Sequence, residues 1–105
     1  PCAPPMNDKM IKGDYEYETG LQIINCFKDK QLNYEEVEMM LVGSHAPFTW
    51  GIDGNKAVYN AAVLEQIAHM AWITEQLNPD ISKLKKALRK KHFERKHGPD
   101  SYYGQ

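Results

Sequence analysis

The chain has 105 residues, 42% hydrophobic and 26% charged, with a formal net charge of -1. That is the profile of one small globular domain with a single core, and it excludes a disordered, fibrous or disulfide-stapled protein. No apolar stretch is as long as a membrane span, which leaves a soluble cytoplasmic protein with no membrane partner as the expectation. The near-zero net charge hides an asymmetry: residues 1–80 carry five basic and 12 acidic side chains, and residues 81–105 carry eight basic and two acidic.

The first 13 residues, rich in proline and ending at Gly13, read as an extended or looped lead-in. Pro1–Pro5 is neither a signal nor a transit peptide. The first methionine is Met6, so the expected object is the later part of a longer chain. The two cysteines, Cys2 and Cys26, form no CxxC motif and no disulfide framework. Cys26, in an apolar run, is expected in the core.

A helix is predicted from about Tyr15 to Lys30. Tyr17, Leu21 and Ile24 make one apolar stripe, and Ile23 and Phe27 the row beside it. Gly20 weakens this helix, and the role it suggests is close approach of another backbone. Glu16 and Glu18 open the helix, where a negative charge suits its dipole.

Met39-Met40-Leu41-Val42 reads as a buried strand running into a loop at Gly43-Ser44. The loop carries His45. Pro47 argues against regular structure beyond it, or places the segment at a sheet edge. Asp53-Gly54-Asn55 is a turn and a helix start. From Lys56 to Leu77 the pattern is helical, with Ala57, Ala61, Leu64, Ala68 and Ala71 on one face and Val63, Ile67 and Met70 widening it. Such a helix is expected to be covered on more than one side.

Asn78-Pro79-Asp80 ends that helix. Asp80 is a suitable N-cap for a last helix from Ile81 to about His97, stopped by Gly98-Pro99. Its apolar stripe is Ile81, Leu84 and Leu88, and His92 is the next position on that face. One strand and three helices do not close a sheet, which again implies strands outside this sequence.

Four places could carry chemistry. His45 follows a buried strand by two residues, where ligand sites of mixed α/β folds lie. It is a metal ligand or a loop histidine bonded to a carbonyl; no second ligand lies at motif spacing. His92 is a half-buried structural histidine or an acid/base group. The terminal tyrosines are docked aromatic anchors or, at the end of a tail that can enter a cleft, proton carriers. The basic run Lys83, Lys85, Lys86, Arg89, Lys90, Lys91, Arg95 and Lys96 is a nucleic-acid surface or a solvated or intersubunit face. No nucleic-acid motif accompanies it. His69 reads as structural, and His97 as a helix-end imidazole.

Ser44-His45-Ala46-Pro47-Phe48-Thr49-Trp50-Gly51 resembles the S/N-H-G-P-F-x-W-G segment of the class II aldolase/adducin-like family. Gly13-Asp14-Tyr15-Glu16-Tyr17-Glu18-Thr19-Gly20 and Tyr59-Asn60-Ala61-Ala62-Val63-Leu64-Glu65 resemble helices of the same group. Lys91-His92-Phe93-Glu94-Arg95-Lys96-His97-Gly98 and Ser101-Tyr102-Tyr103-Gly104-Gln105 are similar to the C-terminus of its bacterial L-ribulose-5-phosphate 4-epimerases.

The resemblance implies the C-terminal part of a three-layer α/β/α fold with a central, largely antiparallel sheet. It implies a zinc ion on three histidines, His45 being the third and an upstream HxH pair the others. Tyr103 matches the catalytic tyrosine, which in this family reaches a neighbouring subunit's site; His92 matches a histidine near that site and Glu16 an acidic residue at its edge. A homotetramer and a sugar-phosphate substrate are implied too. So is a reaction that inverts one carbon of L-ribulose 5-phosphate by breaking and remaking its C3–C4 bond. A class II sugar-phosphate aldolase and a non-catalytic adducin-like interaction module stay open as alternatives. Relatives often have Gly at position 46 and some have His at position 43. Ala46 would crowd the loop if its backbone needed a positive φ; Gly43 puts nothing essential in doubt.

Overall fold

The computed structural model describes residues 1–102. Among them are three strands and four helices: β1 (Cys2–Ala3), α1 (Asp8–Lys12), α2 (Tyr15–Asp29), β2 (Met39–Val42), β3 (Pro47–Thr49), α3 (Gly54–Leu77) and α4 (Lys86–His97). The chain is a mixed α/β structure that divides into two compact units, Pro1–Ala71 and Trp72–Gln105, with the division falling within α3. No described helix is long and apolar enough to cross a membrane.

In the first unit β2 is the central strand. β1 pairs with it in parallel, placing Cys2 opposite Leu41 and Ala3 opposite Val42. β3 pairs with it antiparallel, from Met39 opposite Thr49 to Leu41 opposite Pro47. The expected lone strand therefore has a partner on each side. Both partners are too short for an alternating pattern to register. Pro47 takes the place its chemistry allows, the first residue of an edge strand, where its missing N–H costs no ladder bond. β2 is not buried on both faces: Met40 and Val42 are buried, whereas Leu41 is 37% exposed.

The lead-in is likewise more regular than its composition suggests. Asn7 caps α1 by accepting the Met10 N–H at 3.0 Å. Asp14 does the same for α2, accepting from the Tyr17 N–H at 3.2 Å. α2 stops in a Schellman turn: Gln31 adopts a left-handed φ of 52°, its N–H bonds the Lys28 carbonyl, and the Leu32 N–H reaches back to Phe27 at 2.9 Å.

The core consists of Ala3, Cys26, Phe27 and Met40, with Ile23, Leu32, Val37 and Trp50 packed on it. Cys26 is core, as its apolar run suggested. The buried row of α2 is the Ile23–Phe27 row, while Tyr17 and Ile24 are 62% and 49% exposed. Gly20 meets no described neighbour within 4 Å, so close backbone approach does not account for it here. Gly43 does face such an approach: a Cβ there would lie 2.8 Å from the Ala3 carbonyl oxygen and the Pro5 nitrogen. A side chain at position 43 is therefore incompatible with β1 lying against β2.

Polar contacts hold α3 to the sheet. Asp53 caps it, accepting the Lys56 N–H at 2.8 Å. Asn60, the buried residue of α3, donates to Glu38 Oε2 at 2.8 Å and to the Trp50 carbonyl at 2.7 Å. Lys56 lies 3.7 Å from the same Glu38 oxygen. Beyond Leu64 the described α3 residues are exposed, so the predicted covering on more than one side is not supplied by the described chain.

In the second unit, α4 begins at Lys86 rather than Ile81. Asp80 instead sits in a turn closed by the Ile81 N–H on the Asn78 carbonyl. Ile81 and Leu84 therefore precede the helix and are 50% and 58% exposed. Gly98 ends α4 with its N–H on the Glu94 carbonyl.

Candidate functional site

His45 lies in the turn joining β2 to β3. The turn closes through Val42 N–H on the Ala46 carbonyl at 3.0 Å and His45 N–H on the Val42 carbonyl at 3.1 Å. Its strained residue is Ser44, with φ of 57°; Ala46 does not have a positive φ, so alanine sits there without backbone strain. The left-handed residue immediately before His45 turns the chain sharply at the strand's end and leaves His45 exposed.

Two aromatic rings flank the imidazole. Tyr15 is stacked on its face, with centroids 5.4 Å apart and planes 18° apart. Phe48 approaches edge-on at 5.6 Å and 70°. Both geometries are the preferred ones for ring pairs. Tyr15 is the first residue of α2, and its carbonyl accepts the hydroxyl of the buried Thr19 at 2.8 Å. Three separate stretches, the start of α2, the β2–β3 turn and β3, thus converge on one side chain.

The His45 ring makes no hydrogen bond among the described residues, so both nitrogens are open. An imidazole nitrogen is a donor type that zinc takes. In donor chemistry, His45 fits one corner of a zinc site. Among the described residues no group of three His, Cys, Asp or Glu side chains could hold a metal ion. The exposed Cys2 belongs to no such group either.

The other sequence-predicted residues are distributed unequally. Glu16 follows Tyr15 directly in the first turn of α2 and is exposed, so the fold brings its helix end to His45. His92 is on α4, in the second unit, and is exposed rather than half-buried; its stripe neighbour Leu88 is 41% exposed. His97 ends α4, as expected, and its ring packs against Phe93 at 4.8 Å. Tyr103 lies outside the described residues. The residue before it is anchored: the Tyr102 N–H bonds the Arg95 carbonyl at 3.1 Å, and the Arg95 guanidinium sits 5.4 Å over the Tyr102 ring.

Sequence reasoning missed the part played by Tyr15 and Phe48. Both stand inside segments that carry the resemblance, yet nothing in their spacing says that positions 15 and 45 meet. No family model matches the chain. The resemblance rests on the quoted segments.

Proposed function

We propose that this chain is the C-terminal part of a zinc-dependent L-ribulose-5-phosphate 4-epimerase with a class II aldolase-like three-layer fold, working as a homotetramer on a sugar-phosphate substrate. The observation that carries this reading is the setting of His45: an exposed imidazole at the end of a strand, between two aromatic rings, with no ring hydrogen bond among the described residues.

In this reading His45 gives one nitrogen to zinc, and the other ligands, an HxH pair, come from outside this sequence. Bound zinc supplies Lewis-acid polarisation of a ketone and its neighbouring hydroxyl, which makes scission of the adjoining carbon–carbon bond accessible. The chain's own residues do the rest. Glu16, at the exposed start of α2, borders the site. Tyr103 moves a proton to or from the C4 oxygen on one side, inside a neighbouring subunit's site, and an aspartate outside this sequence serves the other side. His92 matches a histidine near that site and supports the transfer.

The test is zinc content and product analysis on the intact protein. Wild type should copurify with zinc and convert L-ribulose 5-phosphate to D-xylulose 5-phosphate, and His45→Ala should lose both properties. Accumulation of free glycolaldehyde phosphate would assign a class II aldolase instead. Protein that neither binds zinc nor turns over would favour the adducin-like interaction module.

A further inference from the structure

A metal-bound histidine is normally held in place by a hydrogen bond to its second nitrogen, which fixes the ring plane and hence the direction of the ligating lone pair. His45 has no such bond among the described residues. The element that touches its face is the Tyr15 ring, nearly parallel at 18°. A metal bonded to an imidazole lies in the ring plane, so a group stacked on the face restrains the tilt of that plane while leaving both nitrogen edges clear. Phe48, meeting it at 70°, restrains the same ring from another direction.

Tyr15 is itself held firmly. The Asp14 carboxylate caps its helix, the Asp14 carbonyl accepts the Glu18 N–H at 2.9 Å, and Thr19 bonds the Tyr15 carbonyl. The stack therefore adds the support of α2 to that of Phe48 on an otherwise exposed ring.

We propose that Tyr15 is a positioning residue for His45, setting the imidazole plane through ring stacking rather than through its hydroxyl. The proposal rests on the reading of His45 as a metal ligand. It makes a specific demand: an aromatic ring is needed at position 15, and the phenol oxygen is not.

The intact protein is purified without metal as wild type, Tyr15→Phe, Tyr15→Leu, Tyr15→Met and His45→Ala. Zinc affinity is read by competition with a chromophoric chelator, and the His45 ring resonances by histidine-selective NMR, assigned by their loss in His45→Ala. Tyr15→Phe should match wild type in both. Tyr15→Leu and Tyr15→Met should lose the ring-current displacement of the His45 signals and bind zinc about 2- to 13-fold more weakly, the range to which an aromatic pair's energy converts. The thermal midpoint of the metal-free protein separates this from general loss of structure, and the two aliphatic variants guard against one failing to fold. Unchanged zinc affinity in both aliphatic variants overturns the positioning role. Wild-type zinc affinity in His45→Ala overturns the ligand role itself, and this inference with it.

Discussion

The two units of this chain are packed differently. In Pro1–Ala71 the strands, α2 and the capped turns lock onto a small core, and His45 is flanked by rings from two other stretches. In Trp72–Gln105 no described residue is buried; α4 is a basic helix stabilised by its own backbone, the Lys90–Glu94 pair at 3.6 Å and the ring contacts at its end. The residue proposed as metal ligand sits where the chain can fix it alone. Of the residues proposed for proton transfer, the supporting His92 is exposed in the second unit and Tyr103 lies outside the described residues.

The sharpest way to break that division is at the tail. Tyr103→Phe in the intact protein should lower kcat by about 10²–10⁴-fold while zinc content stays at the wild-type level; equal losses of zinc and rate would erase the distinction between the two units. Next in size is the core. Met40, fully buried, should cost about 2–5 kcal/mol when replaced by alanine, read by urea unfolding. The matching Leu88→Ala change on α4 should stay within about 0.5 kcal/mol. A large Leu88 effect would show that α4 is covered in the assembled protein.

Asn60→Ala is intermediate. It leaves the Glu38 carboxylate and the Trp50 carbonyl without their amide donor, a loss of about 1–3 kcal/mol in the same unfolding measurement. An effect near zero would mean that the polar clamp does not hold α3 to the sheet. The smallest expected effect has the opposite sign. Gly20 meets nothing within 4 Å, so Gly20→Ala should stabilise α2 by about 0.5–1 kcal/mol. Destabilisation, with loss of oligomer on size-exclusion chromatography, would reveal a neighbouring copy pressed against that face.

Much of the local structure was legible. The limits of α2, the strand at Met39–Val42, the start of α3 at Asp53-Gly54 and the stop at Gly98 all follow from caps, breakers and apolar period, which act over a few residues. Other features were not legible. Which row of α2 is buried and whether β2 has partners depend on contacts between segments distant in sequence, whereas the start of α4 is decided by a competing local turn. Asp80 is a good cap by chemistry, yet its segment closes a turn instead. That position 43 has no room for a side chain was not legible, because the strand segment pressed against it lies about 40 residues earlier.

The candidate site divides the same way. The residue types and motifs around His45, Glu16, His92 and Tyr103 were visible in the chain, since imidazole, carboxylate and phenol declare their chemistry wherever they stand. Folding alone decided that the ring of Tyr15 lies on the ring of His45, because a stacking contact across 30 positions has no local signature. Which side chains can act is written in their functional groups; which of them meet is set by how α2 closes over the sheet.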